Sequence, residues 1–413
     1  MSDDGELAAR ADAGDATAQY ALAAALARAG RRDEAERWLQ SAAASGCADA
    51  IYTLATRRLN SLDTTPAAIV ELERAAAGGS VAAQRLIAVL KAAGYGVPQD
   101  DPSALASVVA LARRGEPAAM REIAAVLALA DPDDPEIVPL VAAAAPHDPV
   151  AAAFCLARAA RVAGEEASLA ASAALLERLR YPRLAALMAK ARRGARPAPA
   201  ADWNPVVSRA VLSVPLRLSP ERLSASPDVV VCRGTIAPEI CEYVIASSMP
   251  RLGPSLVYDP VVDRMRRDPL RTSATASLSP IDLDLALVAL NRAISAAAAL
   301  PQENGEFLSV LRYLPGQLYR PHLDCIPPGA DYERSGQRIK TALLFLNEDF
   351  VGGETHFVAS GLKFRGEAGD ILIFGNVDTA GAPDPAARHA GLEVVSGEKW
   401  LASKWFRSKK FLY

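Results

Sequence analysis

Apolar and polar positions change their rhythm part-way along this 413-residue chain. Up to about Ala195, alanine, leucine, arginine and glutamate dominate, and all of them favour helix. Apolar positions recur there at helical spacing, in pairs of segments such as ADAIYTLATRRL (48–59) and TPAAIVELERAAAGG (65–79). From about Val229 the period shortens to two. The runs VVVC, EFLSVLRYL, KTALLFL, THFVA, DILIFGN and KWLASKWF are β-branched or aromatic and are separated by Gly, Pro, Asn and Asp turns. Two helices interrupt early, PEICEYVIASS (238–248) and SPIDLDLALVALNRAISAAAAL (279–300), the second with Ser279 as N-cap and Pro280 at the first helical position. Strands after two helices predict an antiparallel sandwich with helices packed outside.

The helical half repeats itself. GDATA, GCADA, GSVAA and GEPAA begin at Gly14, Gly46, Gly79 and Gly115, spaced by 32, 33 and 36 residues. HDPVA at His147 keeps the register with His in the Gly place, and YPRLA at Tyr181 reads as a frayed copy. A two-helix unit of this period predicts an α-solenoid. AAGYGVPQDDPSAL carries a G-x-G-V-x-x-D…A connection, so the repeats resemble Sel1-like repeats, relatives of tetratricopeptide repeats. RRGARPAPAADWNP (192–205) breaks the pattern and reads as a linker. The expected organisation is multidomain: an all-α repeat solenoid over 1–195, a linker over 196–227, and a β-rich domain over 228–413. A chain starting near Asp202 is expected to fold alone.

Composition narrows the function classes. The hydrophobic fraction of 51% with 23% charged residues belongs to a globular chain, and a net charge of −3 gives no bulk attraction to nucleic acid or an anionic membrane. Neither partner is expected. No signal peptide or spanning segment is visible, and five scattered cysteines without CxxC spacing read as reduced thiols, so the expected location is cytoplasmic.

Only four histidines occur, and His322 stands two positions before Asp324 on a strand-like run. Residues i and i+2 of a strand face together, so an imidazole and a carboxylate form two corners of a metal site. In this domain His356 and His389 both remain as the third donor. Two histidines and one carboxylate on one face of an octahedral ion are the pattern of non-haem Fe(II) oxygenases. His147 occupies a repeat position at a helix start, where a surface or capping role is expected.

Four ordered motifs carry a resemblance over Val229–Tyr413. RYLPGQLYRPHLD, RIKTALLFLNEDFVGGETHF, HAGLEVVSGEKWLASKWFR and RRDPLRTSATASL resemble the prolyl 4-hydroxylase branch of the 2-oxoglutarate- and Fe(II)-dependent dioxygenases. The resemblance implies a double-stranded β-helix (jelly-roll) oxygenase domain with flanking helices. It implies iron held by His322, Asp324 and His389, with His356 left as a strand-face residue. The cosubstrate 2-oxoglutarate would set its distal carboxylate against Lys399, with hydrogen bonds from Tyr313 and Thr341. An unpaired carboxylate in an apolar barrel is costly, which is the physical need for that lysine. Arg271, Thr272, Ser273, Tyr319 and Trp405 are candidate substrate contacts; Arg338 is assigned a structural role and Cys325 a packing role. The implied reaction uses O2, with ascorbate as reductant, to hydroxylate an unactivated C–H bond. The implied substrate is a prolyl residue of a peptide or protein recruited by the repeats. A free amino acid or small metabolite, and a non-catalytic repeat scaffold, are the competing readings.

Overall fold

The computed structural model describes residues 3–59, 65–194, 200–214, 216, 218–259, 264–267 and 271–411. Residues 195–199 of the break after the repeats, and 268–270 at the start of RRDPLRTSATASL, lie outside the described residues. The chain divides into two compact units, Met1–Leu111 and Ala112–Tyr413.

The first unit is built of helices α1 (Asp3–Asp12), α2 (Ala16–Arg28), α3 (Arg32–Ala44), α4 (Ala48–Arg58), α5 (Thr65–Ala77), α6 (Val81–Ala93) and most of α7 (Asp101–Arg113). The repeated Gly-x-x-x-Ala has two jobs. Gly46 and Gly79 end helices at φ +87° and +96°, where a Cβ would be strained but would touch nothing. The alanine four residues on is wholly buried, as at Ala50 and Ala83, and lets neighbouring helices approach closely.

In the second unit, α8 (Pro117–Ala130), α9 (Ile137–Ala144), α10 (Pro149–Arg158), α11 (Glu166–Arg178), α12 (Leu184–Lys190) and α13 (Trp203–Arg209) precede the sheets. His147 is exposed just before α10, where Asp148 caps the helix by accepting from the Ala151 N–H. Much of the expected linker has regular structure. Asp202 caps α13, and β1 (Pro220–Ala225) forms a hairpin with β2 (Asp228–Cys232). Among the described residues, Pro205 lies in the first turn of α13 and Pro220 opens β1.

The main sheet has eight strands. After β1 and β2 come β3 (Gly253–Pro254), a separate hairpin of β4 (Leu256–Asp259) and β5 (Arg264–Arg267), then β6 (Ala274–Leu278), β7 (Leu308–Tyr313), β8 (Tyr319–His322), β9 (Arg338–Phe345), β10 (Phe350–Gly352), β11 (Thr355–Phe357), β12 (Lys363–Phe364), β13 (Ile371–Gly375), β14 (His389–Gly391), β15 (Val394–Gly397) and β16 (Lys399–Arg407). The main sheet runs β1-β2-β13-β9-β16-β7-β6-β3, and a smaller sheet runs β8-β14-β11-β12, every pairing antiparallel. This is the double-stranded β-helix, or jelly roll. Alternate residues such as Val229 and Val231, Leu343 and Phe345, and Leu372 and Phe374 form one buried core with Phe357 and Phe364 of the smaller sheet.

The central strands are buried on both faces because α14 (Pro238–Ser248) and α15 (Leu285–Ala297) flank the jelly roll. Ser279 and Pro280 start only a 3-10 turn over Pro280–Asp282; α15 begins later, where Asp284 accepts from the Leu287 N–H. Ser279 caps the 3-10 turn in a box with Asp282, and the α-helix restarts with its own cap at Asp284.

These flanking helices pack on the helical pairs of the same unit, α10 against α14 and α8 against α15. Arg158 and Arg161 both donate to Glu239, at 2.9 and 2.8 Å, and Phe154 stands edge-on to Tyr243. Arg121 pairs with Asp148 and Asp284. Removing the residues before Asp202 would take away these cations together with the helices that cover α14 and α15. Helices α8–α12 fall in the same compact unit as the jelly roll, whereas the boundary expected from the sequence lay at 195–228. Glu239→Ala should destabilise the chain by roughly 3–5 kcal/mol, because it strands Arg158 in the interface. Urea unfolding measures this, and a change below about 1 kcal/mol would show the pair to be dispensable.

Candidate active site

Two short strands bring the histidines together. In the antiparallel pairing of β8 with β14, His322 stands opposite His389, and their rings lie 4.4 Å apart between centroids. Asp324 follows two residues after His322 and is buried. Its two oxygens lie 3.5 Å from His322 Nε2 and 3.7 Å from His389 Nε2. One donor atom from each residue falls within 4.8 Å of the others. The nitrogen–oxygen gaps exceed the roughly 2.7–3.2 Å of a good hydrogen bond. They are the spacing of donors that converge on a common ion.

The hydrogen bonds of the two imidazoles fit a divalent cation. His322 Nδ1 faces the Arg320 carbonyl at 2.8 Å, and His389 Nδ1 faces the Ala387 carbonyl at 3.0 Å. A carbonyl only accepts, so each Nδ1 carries a proton, and Nε2 is the ring atom turned toward Asp324 and available to a cation. Burial pushes His389 down to about 4, against the opposing pull of Asp324. Burial also raises Asp324, but His389 and His322 outweigh it and hold the carboxyl well below the usual range. A cation bound among these three residues would take over the attraction that keeps Asp324 ionised.

His356 is not in this group. Thr355 and Phe357 face one side of β11 and His356 the other, and it is Phe357 that pairs in register with His389. Thr341 lies on the metal side: its hydroxyl donates to Asp324 at 2.8 Å and accepts from Asn376 at 2.9 Å. Its proton is thereby committed to Asp324. Asn376 sits just after β13, and nothing local in the sequence marks it.

Lys399 opens β16 and is 2% exposed. Its ammonium donates to the Gly353 carbonyl at 2.7 Å and lies 5.5 and 5.7 Å from the Tyr313 and Phe345 ring centroids. Burial lowers its pKa to about 8, with Glu354 opposing. Lys399, Tyr313 and Thr355 line a narrow chamber together with His322, Asp324 and His389, walled by Leu311, Leu343 and Leu401. A desolvated cation thus shares an apolar chamber with a metal-type donor set. Thr355 lay unnoticed inside GGETHF; its place on the face of Phe357 is the signal that could have found it.

Residues 308–407 match the family described as the 2OG-Fe(II) oxygenase superfamily. The chain is 35% identical over 206 residues to "Prolyl 4-hydroxylase 1" of Arabidopsis thaliana, a match covering 46% of this chain and 73% of that protein. The chain belongs to the prolyl 4-hydroxylase family. Among solved structures it is similar to a viral collagen prolyl hydroxylase of Paramecium Bursaria Chlorella virus-1, at 23% identity and a TM-score of 0.33, over 43% of this chain and 94% of that one. It is also similar to a putative Sel1 repeat protein of Klebsiella pneumoniae, at 21% identity and a TM-score of 0.31, over 45% and 97%. Fe(II), 2-oxoglutarate and O2 are the cofactor and cosubstrates that this family implies.

On this prolyl 4-hydroxylase framework a cleft of about 680 Å³ adjoins the donor cluster. Arg271, Tyr319, Asp324 and Trp405 line both it and the chamber. Tyr319 stacks on His322 at 3.5 Å, and the Arg271 guanidinium lies over the Tyr319 ring, 5.1 Å from its centroid. Of the Arg-Thr-Ser triplet only Arg271 reaches the cleft. Thr272 is exposed and exchanges hydrogen bonds with the backbone of Leu318. Ser273 is buried and bonds Ser255 at 2.7 Å and the Tyr313 hydroxyl. Arg338 grips Glu306 with two bonds of 2.6 and 2.7 Å and lies 4.2 Å over the Trp405 ring, bracing the cleft wall. Cys325 points to the Asn376 carbonyl, and burial pushes its thiol up to about 11, so it is a poor thiolate.

The placement of Thr341 yields a test. Thr341→Val should weaken Fe(II) or Co(II) affinity by roughly 10–100-fold, the range for residues that orient a ligand. His389→Ala should abolish metal binding, and His356→Ala should spare it. Calorimetric titration reads all three; unchanged metal affinity in Thr341→Val would place its role elsewhere.

Proposed function

We propose that this chain is a 2-oxoglutarate- and Fe(II)-dependent hydroxylase of prolyl residues in a peptide or protein. One observation carries the reading: a two-His, one-carboxylate cluster and a desolvated ammonium share a chamber that adjoins a large cleft. His322 Nε2, Asp324 and His389 Nε2 would hold the iron. Lys399 would receive the distal carboxylate of 2-oxoglutarate, with the Tyr313 and Thr355 hydroxyls beside it. Bound there, Fe(II) and 2-oxoglutarate with O2 supply the oxidant that places one oxygen on an unactivated C–H bond as the keto acid becomes succinate and CO2. The apolar walls exclude water from that event. Ascorbate is the proposed reductant that keeps the iron ferrous.

An extended substrate suits the cleft, whose volume far exceeds a single side chain. Trp405, Tyr319 and Arg271 stand where its walls approach the metal donors and would orient the target residue. The helical repeats would hold the rest of a polypeptide partner and raise its local concentration. The free cysteines fit a reducing, cytoplasmic setting.

Incubation of the Fe(II)-loaded chain with 2-oxoglutarate and proline-containing peptides, followed by mass spectrometry, tests the reaction. A one-oxygen gain on proline with matching succinate is the expected outcome, and succinate without any modified prolyl peptide or protein would refute the substrate class. Lys399→Ala should weaken 2-oxoglutarate binding by on the order of a hundredfold. The pH dependence follows from the same amine. Below about 8 Lys399 is an ammonium and pairs with the carboxylate; above it the amine is neutral and the attraction is lost. Affinity for 2-oxoglutarate should therefore fall as pH rises through and beyond 8, since the bound carboxylate itself raises the lysine pKa. Affinity that is flat with pH and insensitive to Lys399→Ala would contradict this anchor.

A further inference from the structure

Arg183 stands at the N-cap of α12, in the last helical pair, yet it spends its guanidinium on the jelly-roll half of the unit. Its Nε donates to both oxygens of Glu242 on α14, at 3.2 and 2.9 Å. Its Nη1 donates to both oxygens of Asp349, each at 3.2 Å. Tyr181 adds a 2.6 Å bond to Glu242, which leaves the arginine fixed between two carboxylates.

Asp349 leads on to the lysine. Asn347 Nδ2 donates to Asp349 Oδ1 at 2.8 Å and to the Glu398 carbonyl at 2.7 Å. Asn347 Oδ1 accepts from the Trp400 N–H at 2.7 Å. The two backbone groups held by Asn347 belong to the residues on either side of Lys399. The same segment, continued to Gly353, supplies the carbonyl that faces the Lys399 ammonium. Segment 347–353 therefore holds Lys399 both by its backbone and by its charged tip. From the helical side the segment is gripped by Arg183, with an exposed Lys190–Glu348 pair at 3.4 Å beside it.

We propose that Arg183 is a positioning residue for the cosubstrate anchor. Acting through Asp349 and Asn347, it fixes where Lys399 presents its ammonium, so the last helical pair sets the affinity for the distal carboxylate of 2-oxoglutarate. The inference rests on the reading of Lys399 given above. A role confined to stability is a poor account of the Asp349 arm. That carboxylate is about a third exposed, at 32%, and does not need a partner to remain solvated. What the arm does join is a helix of the repeats to the backbone clip around one lysine.

The test uses the full chain loaded with Fe(II) under anaerobic conditions. It is titrated with 2-oxoglutarate and with 2-oxobutyrate, which keeps the chelating head but lacks the distal carboxylate. The charge-transfer absorption of the chelate reports binding, and thermal unfolding confirms that each variant is folded. Asp349→Asn and Arg183→Lys should each weaken 2-oxoglutarate roughly five- to twenty-fold. Fe(II) and 2-oxobutyrate affinities should stay unchanged. In a Lys399→Ala background, Asp349→Asn should have no further effect, since the lysine is the route of its action. Equal weakening of both keto acids, or of neither, would overturn the proposal and leave Arg183 as a stabilising contact. If Lys399→Ala itself leaves 2-oxoglutarate affinity intact, the anchor assignment falls first and this proposal with it, whereas failure of the Asp349 and Arg183 variants alone leaves the anchor standing.

Discussion

An ionised carboxylate that has lost its water, Asp324, is the constraint on which the site is organised. Burial alone would neutralise it, and the attraction of His389 and His322 opposes that. His322 and His389 face it across β8 and β14, and the Thr341 hydroxyl donates to it from β9. Each of these is held in turn, the imidazoles by the Arg320 and Ala387 carbonyls and the hydroxyl by Asn376. The same physics appears with opposite sign at Lys399, a desolvated ammonium that bonds to one carbonyl and lies beside aromatic rings. A chamber with a cation-seeking end and an anion-seeking residue is complementary to a metal chelated by a dicarboxylate. The jelly roll supplies the rigidity that holds the two at fixed separation.

Buried charge also explains why the later helical pairs belong to the enzyme's own folding unit. Arg158, Arg161, Arg121 and Arg183 reach carboxylates on or beside α14 and α15, and each pairing is made where water is scarce. Such pairs cost desolvation and gain less than apolar packing would, so their value lies in fixing one arrangement. Here they fix the orientation of the helices that back the main sheet.

The elements nearest the chemistry were legible in the sequence because strands have a period of two. His322 and Asp324 share a face by spacing, and the motif around His389 separated it from His356. Register explains that separation physically, since Phe357 and not His356 stands opposite His389. Contacts made by side chains over long separations were not legible. Nothing local ties Thr341 to Asp324, Asn376 to Thr341, or Arg183 to Asp349. Ser279 looked like the cap of a long helix because its neighbour is proline; the helix waits for Asp284, whose carboxylate reaches the third N–H along. The segment between the halves looked like a tether, yet Pro205 lies inside α13 and Pro220 opens β1.

On the proposed reading one buried carboxylate between two imidazoles holds iron, with Lys399 receiving the far end of the cosubstrate. A crystal of the full chain grown anaerobically with Fe(II) and 2-oxoglutarate, measured at the iron absorption edge, tests it most directly. One anomalous peak is expected, touching His322 Nε2, Asp324 and His389 Nε2, with the distal carboxylate against Lys399 Nζ. A peak on His356, or a cosubstrate whose far carboxylate avoids Lys399, would contradict it.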